Sequence, residues 1–539
     1  MTPYTKLAIA FALAGLLSHN LIFIRGEHHL WAPKYVQFGC LLIVISLALR
    51  SRYGQEHALK ETSIAASSFL SALFTSMIVY RLAFHPLRSF PGPFMWKISK
   101  LWHVFKVAPS QKNYLLLDEL YHEYGPFVRT GPGELTVFHP EVFDVIGGTG
   151  TTCIKAPWYD MLYPMVAINS VREKAGYAPR RRVWNTALST RAVHDEKSVV
   201  LRALNKMGEA FQERHGQPLN VTEWMSYFTS DTMGELAFNK SFGMLDKHEW
   251  SGSVQLLRNG LAILGTVTPA PWLAHVAFTF LPKSQLLWAS LVKFAKSMME
   301  DRLEKDSAKK DVSYWMIEAG RTSDGTISIN NLYGDAFAMI IAGSHTVATT
   351  LIFTLKELAN DKKMQDRVRK EVDTLSEWDD VQGLEELTGM NAILNETMRL
   401  YPVVPTGGIR MTTNEPVTIG GTVIPPYTTI VAPRYTISRL ENAFERATEF
   451  IPERWTSKPE MIKDKRAYNP FNNGRHSCPG KNLGLMEVRL CLSMLLSRFD
   501  ISYAAGEDGS HVWSDMTDSF TANPGALRLT FTARENAAA

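Results

Sequence analysis

Cysteine is scarce in this chain of 539 residues, which contains only Cys40, Cys153, Cys478 and Cys491. Such a sparse set forms no disulfide framework, so we expect the bulk of the chain to face a reducing, cytosolic environment. Positive charge is in small excess, with a net charge of +4 at pH 7. So small an excess does not favour nucleic-acid binding. Past residue 95 the sequence lacks Ser/Gly-rich tracts, low-complexity runs and internal repeats, so one large domain is expected there.

Long apolar runs occur near the N-terminus, at residues 7–24, 36–49 and 63–80. A membrane-spanning helix needs about 20 apolar residues, and about 17 are tolerated, so the first and third runs qualify. The second run is short unless Trp31 to Tyr35 extend it at the interface. We therefore predict a membrane anchor region over residues 1–80 with one to three transmembrane segments. The alternative is one anchor followed by amphipathic or buried segments.

Basic residues follow the third run, namely Arg81, Arg88, Lys97 and Lys100. Basic residues concentrate on the cytoplasmic flank of a span, so the large domain should face the cytosol. Residues 81–95 contain Pro86, Pro91 and Pro93, and prolines at this density predict a stiff, extended hinge. The hinge leaves residues 96–539 as the large domain.

One cysteine has unusual neighbours, in the segment Phe471-Asn-Asn-Gly-Arg-His-Ser-Cys-Pro-Gly480. A thiolate is a soft, strongly donating ligand, and a haem iron can take one as its axial ligand. Gly474 and Gly480 allow a tight turn close to a flat cofactor, and Phe471 can shield the sulfur from water. The apolar residues after Gly480 predict a helix whose N-terminus favours negative charge on Cys478. The spacing alone fits a buried free cysteine before a core helix equally well.

Three further motifs accompany the cysteine loop: Glu396-Thr397-Met398-Arg399, Pro452-Glu453-Arg454-Trp455 and Ala342-Gly343-Ser344-His345-Thr346. With them the chain resembles the cytochrome P-450 superfamily of haem-thiolate monooxygenases. The corresponding family motifs are Phe-x-x-Gly-x-Arg/His-x-Cys-x-Gly, Glu-x-x-Arg, Pro-Glu-Arg-Phe/Trp and Ala/Gly-Gly-x-Asp/Glu-Thr. The resemblance covers roughly residues 80 to 535. Glu-x-x-Arg alone is weak evidence, whereas the four motifs together are specific.

Periodic apolar patterns with charged opposite faces dominate from about residue 110 to 400. A long helix is predicted over Ile329 to Asn360, opened by a kink at Gly343, and a second over Gly383 to Leu400. Short β patterns occur at residues 417–424, 429–431 and 527–532. The predicted class is mainly α with a small β portion, which matches the P-450 fold that the resemblance implies, preceded by N-terminal transmembrane helices.

The resemblance implies a haem (heme) cofactor whose iron takes Cys478 as its axial thiolate ligand. Arg181 and Tyr177 register with the family's Trp-x-x-x-Arg/His pair, which binds a haem propionate, although tyrosine replaces the tryptophan. The alternative is that Arg181 belongs to a solvated helix face. His476 occupies the position that usually carries a propionate-binding arginine, and Arg410 is a further expected propionate partner.

The Glu-x-x-Arg motif is interpreted as structural. Glu396 and Arg399 are three residues apart and share one helix face. A solvated pair of this kind contributes little to stability. The resemblance adds Arg454 as a third member of a buried network.

Thr346 and His345 are the residues expected to deliver protons. Members of the family use Thr with a preceding Asp or Glu to supply the protons that O₂ activation consumes. Here His345 replaces the acid, and an imidazole titrates near neutrality, so it can still shuttle protons. The alternative is that His345 only packs on its helix or forms a salt bridge.

The function expected from the resemblance is a monooxygenase that inserts one oxygen atom from O₂ into an apolar small molecule. Because no reductase domain follows the haem domain, electrons should come from a separate NADPH-cytochrome reductase, with cytochrome b5 as a further candidate. The segment Lys155-Ala-Pro-Trp-Tyr159 resembles a loop of fungal secondary-metabolism members, including the tryprostatin-hydroxylase-like group. The anchor suggests the endoplasmic reticulum membrane.

Other functions remain open at this point. A haem-thiolate isomerase or dehydratase would use the same cysteine without O₂ or a reductase, and the unusual His345 leaves that alternative open. A non-catalytic haem-binding protein belongs to a different class. A multi-span receptor or transporter is disfavoured, because no segment after residue 80 reads as membrane-spanning.

Overall fold

The computed structural model describes residues 1–53, 57–304, 309–322 and 327–534. Helices make up most of these residues, and the strands form four small sheets within the described ranges. This architecture confirms the predicted class, mainly α with a small β portion.

Three helices form the N-terminal region: α1 (Pro3–Ser18), α2 (Ala32–Arg52) and α3 (Ala58–Val79). Turns of π-helix extend α1 through His19–Phe23 and α3 through Tyr80–Phe84. With these extensions and a 3₁₀ turn at His29–Trp31, all three are long and apolar enough to cross a membrane. The second apolar run is thus longer than residues 36–49 suggested.

The three helices pack through small and polar side chains. A Cβ atom on Gly15 of α1 would collide with the carbonyl oxygen of Phe69 in α3, so glycine allows the backbones to approach closely. Arg50 of α2 forms an ion pair with Glu61 of α3. These contacts hold α1 and α2 against α3.

The remaining helices belong to the large domain. They are α4 (Phe94–Ile98), α5 (Leu101–Val107), α6 (Asn113–Tyr124), α7 (Val142–Gly147), α8 (Lys174–Ala187), α9 (Thr190–Asp195), α10 (Lys197–Glu213), α11 (Val221–Phe238), α12 (Met244–Lys247), α13 (Gly252–Val267), α14 (Trp272–Phe280), α15 (Pro282–Glu304), α16 (Val312–Thr322), α17 (Ile329–Asn360), α18 (Lys362–Val372), α19 (Val381–Glu386), α20 (Thr388–Leu400), α21 (Arg434–Ile437), α22 (Lys481–Arg498) and α23 (Ser510–Ser514). Short 3₁₀ segments lie at Pro157–Asp160, Pro452–Trp455, Pro459–Met461, Lys465–Ala467 and Gly474–His476.

The long helix α17 has the bounds predicted for it, because Ser328 caps its N-terminus in a capping box with Asn331. All of its residues through Gly343 are helical, and the kink at Gly343 stays a prediction. The helix expected over Gly383 to Leu400 is two helices, α19 and α20, separated at Leu387. Helix α17 is also long and apolar enough to span a membrane, but 72% of its apolar window is buried inside the protein, so it is the central core helix.

The strands are β1 (Phe127–Gly131), β2 (Glu134–Val137), β3 (Ile154–Lys155), β4 (Pro218–Asn220), β5 (Ile409–Met411), β6 (Val417–Ile419), β7 (Thr422–Ile424), β8 (Thr429–Val431), β9 (Phe499–Tyr503), β10 (Thr517–Ser519), β11 (Thr521–Asn523) and β12 (Arg528–Ala533). The largest sheet has the order β1-β2-β8-β5-β3, in which only β2 and β8 are parallel. A second sheet has the order β4-β12-β9. The pattern predicted at residues 417–424 is the hairpin β6–β7, which turns at Gly420 and Gly421 with positive φ.

Helix α17 packs against both α11 and α22, and this arrangement positions the site. The side chain of Met233 in α11 occupies the space where a Cβ atom on Gly343 would lie. One turn further along α17, the side chain of Val347 would lie 3.5 Å from a Cβ atom on Gly484 of α22. The helix that carries the Thr346 motif is thereby held beside the helix that follows Cys478.

Candidate active site

The cysteine loop is held in place by its own backbone and by α7. The backbone N–H of Cys478 donates a hydrogen bond to the carbonyl oxygen of Phe471, at 2.7 Å. Gly474 has a φ of +60°, and a Cβ atom there would collide with the carbonyl oxygen of Gly147. Glycine is therefore required at Gly474 for packing against the end of α7 as well as for the turn.

Protein surrounds Cys478, but its sulfur is accessible from an interior cavity of about 300 Å³. Helix α22 starts at Lys481 with Gly480 as its N-cap, as the sequence predicted. Burial raises the pKa of the Cys478 thiol, whereas the Gly480 N–H and the charges of Arg181 and Lys481 favour the thiolate. A cationic group bound in the cavity would lower that pKa and so favour the thiolate.

The cavity has an apolar part and a cationic part. The apolar part is formed by several helices and loops, with Leu188, Met233, Val312, Ala338, Met339, Val347, Val403, Val404 and Phe520 among its residues. The cationic part is formed by Lys155, Arg181, Arg410 and Arg434, with the imidazole of His476 among them. The acid among the described lining residues is Glu487, and burial raises its pKa to about 8. This carboxyl group is therefore mostly protonated at pH 7 and does not neutralise the cations.

The cationic groups lower one another's proton affinity. Burial lowers the pKa of Lys155 well below its usual range, aided by Arg410 and Arg180. Burial also lowers the pKa of His476 to about 3, aided by Lys155 and Arg410. Within the described parts of the chain, His476 Nδ1 and Arg410 Nε are buried without a hydrogen-bond partner. Buried polar atoms normally have partners, so the cavity wall fits an anionic group such as the propionates of haem.

Arg181 and Tyr177 connect α8 to the cysteine loop. Arg181 Nη1 donates to the carbonyl oxygen of Ser477, and its Nε donates to Asn185 Oδ1 at 2.8 Å. The Tyr177 hydroxyl donates to the carbonyl oxygen of Arg475 at 2.7 Å, and its ring meets the ring of His476 edge-on at 4.6 Å. Arg181 therefore lies at the cavity rather than on a solvated helix face.

The structure brings most of the predicted site residues to one place. Those that line the cavity are Phe471, Cys478, His476, Arg181, Tyr177, Arg410 and Thr346. Arg475 turns away, because its Nη2 donates to the carbonyl oxygen of Thr151 at 2.7 Å.

Sequence reasoning missed Lys155 and Arg434 as members of the cationic wall. Lys155 Nζ donates to the carbonyl oxygen of Ile168 at 3.0 Å and lies 4.9 Å from the centre of the Tyr177 ring. Arg434 Nε donates to the carbonyl oxygen of Asn469 at 2.9 Å. The available signal for Lys155 was a lysine inside the apolar segment Cys153 to Ala156, whereas Arg434 offered none.

Thr346 and His345 lie on different faces of α17. The Thr346 hydroxyl donates to the carbonyl oxygen of Ala342 at 2.7 Å, and Thr346 lines the Cys478 cavity. His345 instead lines a second, small cavity of about 30 Å³ beside Arg258. Burial, aided by Arg258, lowers the pKa of His345 to about 4. This imidazole is uncharged at pH 7 and does not titrate near neutrality as the sequence suggested.

The Glu-x-x-Arg motif forms the buried network that the resemblance implied. Glu396 Oε1 accepts hydrogen bonds from Arg399 Nη2 at 2.8 Å and from Arg454 Nε at 3.0 Å, and all three side chains are fully buried. The N–H groups of Ile451 and Trp455 Nε1 complete the coordination of the carboxylate. Burial would raise the pKa of Glu396, but these donors outweigh it and the pKa lies below its usual value. The network ties α20 to the segment that precedes the cysteine loop.

Comparisons with known proteins agree on one family. The family model described as cytochrome P-450 matches residues 91–531. Cytochrome P-450 monooxygenase notG' of Aspergillus versicolor is 34% identical over 532 residues, which cover 96% of this chain and 97% of that protein. Tryprostatin B 6-hydroxylase of Aspergillus fumigatus is 32% identical over 520 residues, or 94% of this chain and 92% of that protein. The solved cytochrome P-450DA heme domain has the same fold, with a TM-score of 0.68 and 19% identity over 83% of this chain and 98% of that one.

Proposed function

The chain belongs to the cytochrome P-450 family of haem-thiolate monooxygenases, and on that premise we propose that it oxygenates an apolar small molecule of fungal secondary metabolism. The observation that carries this proposal is the Cys478 sulfur, which opens into a cavity with one cationic and one apolar part. The fungal monooxygenases similar to this chain support the metabolic class. The scarcity of charged groups in the apolar part supports an apolar substrate.

The residues present fit haem, and each would hold a different part of it. Cys478 would supply the axial thiolate, and Phe471 would shield the sulfur. Lys155, Arg181, Arg410 and His476 would hold the propionates, with Tyr177 positioning Arg181 and His476. When bound, haem supplies the iron centre at which O₂ is activated for insertion into substrate. Electrons for this reaction would come from a separate NADPH-dependent reductase, with cytochrome b5 as a further candidate.

Proton handling would be the task of α17. The Thr346 hydroxyl faces the cavity and can hold or pass a proton there. His345 lies on another face, where its Nδ1 has no hydrogen-bond partner among the described residues. Since its pKa is about 4, His345 would act as a neutral group that exchanges a proton with water in the second cavity. Its relay role rests on that unpaired nitrogen.

The proposed domain organisation is the one predicted from the sequence. Residues 1–80 would anchor the protein in the endoplasmic reticulum membrane, 81–95 would be a hinge, and 96–539 would be the catalytic domain on the cytosolic side. The basic residues after α3 support this orientation.

The test uses the full-length protein in membranes with NADPH-cytochrome reductase and a panel of apolar fungal metabolites. A substrate should consume NADPH and isotopically labelled O₂ and should gain a labelled oxygen atom. Membranes carrying Cys478→Ala are the control and should form no product. Product formed without O₂ uptake would contradict the proposal and favour an isomerase or dehydratase.

A further inference from the structure

The turn between α1 and α2 reaches the large domain through charged side chains. The Glu27 carboxylate accepts hydrogen bonds from Arg172 Nη1 at 2.6 Å and from Arg172 Nη2 at 2.5 Å. Arg172 Nη1 also donates to Asp160 Oδ2 at 2.7 Å, and the same oxygen lies 2.8 Å from His29 Nε2. A pair of residues from the anchor region thus meets a pair from the catalytic region.

The contact is better built than an ordinary surface ion pair. The side chains of Arg172 and Asp160 are each 16% exposed, and that of His29 is 10% exposed. The Arg172–Glu27 pair is bidentate, which adds specificity as well as energy. Glu27, His29 and Asp160 are close enough together to hold a metal ion, but the Arg172 guanidinium already hydrogen-bonds to both carboxylates. The cluster is therefore an ionic contact rather than a metal site.

The same residues lead to the wall of the active-site cavity. Arg172 Nε donates to the carbonyl oxygen of Lys155 at 3.0 Å, and the Lys155 side chain lines the cavity. Between Lys155 and Asp160, the Trp158 ring stacks on the cavity-lining Phe520 at 4.6 Å. The Tyr159 hydroxyl accepts a hydrogen bond from Arg410 at 2.9 Å. Residues 155–160 are thus held by the cavity on one side and by the α1–α2 turn on the other.

The contact also restricts how the anchor can cross the membrane. Because α3 leads directly into the large domain, the N-terminal end of α3 lies on the opposite side of the membrane if α3 crosses it. The α1–α2 turn can then meet Arg172 only if α2 crosses back. The contact therefore requires α2 to span the membrane, although its apolar run was too short by sequence.

We propose that Glu27, His29, Asp160 and Arg172 form an orienting clamp, in which the α1–α2 turn holds residues 155–160 and fixes the catalytic domain relative to its membrane anchor. The clamp goes beyond the proposed function, because it concerns the position of the domain and the cavity wall rather than the reaction. Glu27 is a positioning residue that acts through Arg172.

The first test locates the turn. Arg25→Cys places a thiol in the exposed turn, and Tyr53→Cys places one at the exposed end of α2. In sealed microsomes with the cytosolic face outward, a membrane-impermeant maleimide should label Arg25→Cys directly and Tyr53→Cys only after detergent, both above the wild-type background. Labelling of Arg25→Cys only after detergent would overturn the clamp. Direct labelling of Tyr53→Cys together with Arg25→Cys would show that neither α2 nor α3 crosses, and it would overturn the membrane orientation that the clamp is proposed to fix.

The second test measures residues 155–160 by amide hydrogen exchange in the full-length holoenzyme, reconstituted in lipid nanodiscs. Loss of an ion pair at a partly exposed site should raise their exchange roughly two- to fivefold in Glu27→Gln. Arg172→Gln should raise it at least as much, and the double variant should match Arg172→Gln, because Glu27 acts through that guanidinium. The matched control is Glu61→Gln, which removes an anchor carboxylate that pairs with Arg50 instead.

Unchanged exchange in Glu27→Gln, or the same rise in Glu61→Gln, would overturn the clamp. An additive effect in the double variant would contradict action through Arg172. Neither test needs turnover, so a failure of the clamp is distinguishable from a failure of the monooxygenase proposal.

Discussion

Arg181 of α8 donates a hydrogen bond from Nη1 to the carbonyl oxygen of Ser477, the residue that precedes Cys478. Its Nη2 also lies 3.3 Å from Ser477 Oγ. Arg181 precedes Ser477 by 296 residues, and this hydrogen bond places its cation beside the cysteine loop. The same arginine lines the cavity, so one side chain links the loop backbone to the cationic wall.

Cys478→Ala should abolish the thiolate-type absorption of the reduced CO complex, because Cys478 is the one cysteine among the described residues that line the cavity. The measurement is the CO difference spectrum of the purified protein. Cys491→Ala is the matched control, since Cys491 is a buried cysteine on the following helix that does not belong to the described lining. A thiolate-type spectrum in Cys478→Ala would refute the site.

Arg181→Gln should weaken haem retention by roughly 10- to 100-fold, because a hydrogen bond to a charged group contributes about 1.5–3 kcal/mol. The transfer rate of haem to apomyoglobin reports the loss. Arg182→Gln removes the exposed neighbouring charge and should leave that rate unchanged. Equal rates in the two variants would place Arg181 outside the haem site.

Glu396→Ala should yield little folded protein, because it leaves the Arg399 and Arg454 guanidinium groups buried without their shared carboxylate. Breaking a buried ion pair in this way costs about 3–5 kcal/mol. The yield of soluble holoprotein and its thermal midpoint measure the effect. Glu449→Ala, which removes an exposed partner of Arg446, should be nearly neutral. A fully loaded, stable Glu396→Ala protein would contradict the structural role.

Thr346→Ala should keep haem binding but lower the ratio of product formed to NADPH consumed, because proton delivery of this kind contributes about 10²- to 10⁴-fold in rate. His345→Leu should also uncouple, whereas His345→Asp restores the family's acid and should preserve coupling. Thr354→Ala is the control, since that hydroxyl also donates to a carbonyl oxygen within α17 but Thr354 lines neither of these two cavities. Wild-type coupling in His345→Leu would reduce His345 to a packing residue.

The stability of the protein should depend on His345 between pH 7 and pH 5. Burial, aided by Arg258, holds the pKa of His345 at about 4 in the folded state, whereas an unfolded histidine has a pKa of about 6.5. The unfolded state therefore binds more protons in this range, and stability falls as the pH falls below about 6.5. Thermal midpoints of His345→Leu should decrease less from pH 7 to pH 5 than those of the wild type. His122→Leu, at a largely exposed histidine, should follow the wild type. A wild-type slope in His345→Leu would contradict the low pKa.

Several features were predictable because they depend on residues close together in sequence. The bounds of α17 follow from apolar periodicity and from the Ser328 cap. Helix α22 follows from the apolar residues after Gly480. The cysteine loop and the Glu396–Arg399 pair are short local motifs, which together with the other two motifs carry the resemblance to the family. Resemblance to the family then linked Arg454, Arg181 and Thr346 to these motifs.

Other features depended on contacts that no local pattern records. Lys155 joined the cationic wall because β3 pairs with β5 beside Arg410. His345 faces Arg258, and only this burial decides that its imidazole is neutral. Helix α20 starts after Leu387, where the Glu371 carboxylate of α18 accepts hydrogen bonds from the N–H groups of Gly389 and Met390.

By itself, the sequence determined the fold class, which rests on periodicity, and its four motifs carried the resemblance that identified the haem-thiolate family and the cysteine that defines the site. The tertiary structure alone decided which charges share a cavity, which face of α17 each side chain takes, and how Glu27 meets Arg172 across 145 residues of sequence. Burial, proton affinity and ionic partners are properties of neighbours in space, and those neighbours are separated by long stretches of the chain.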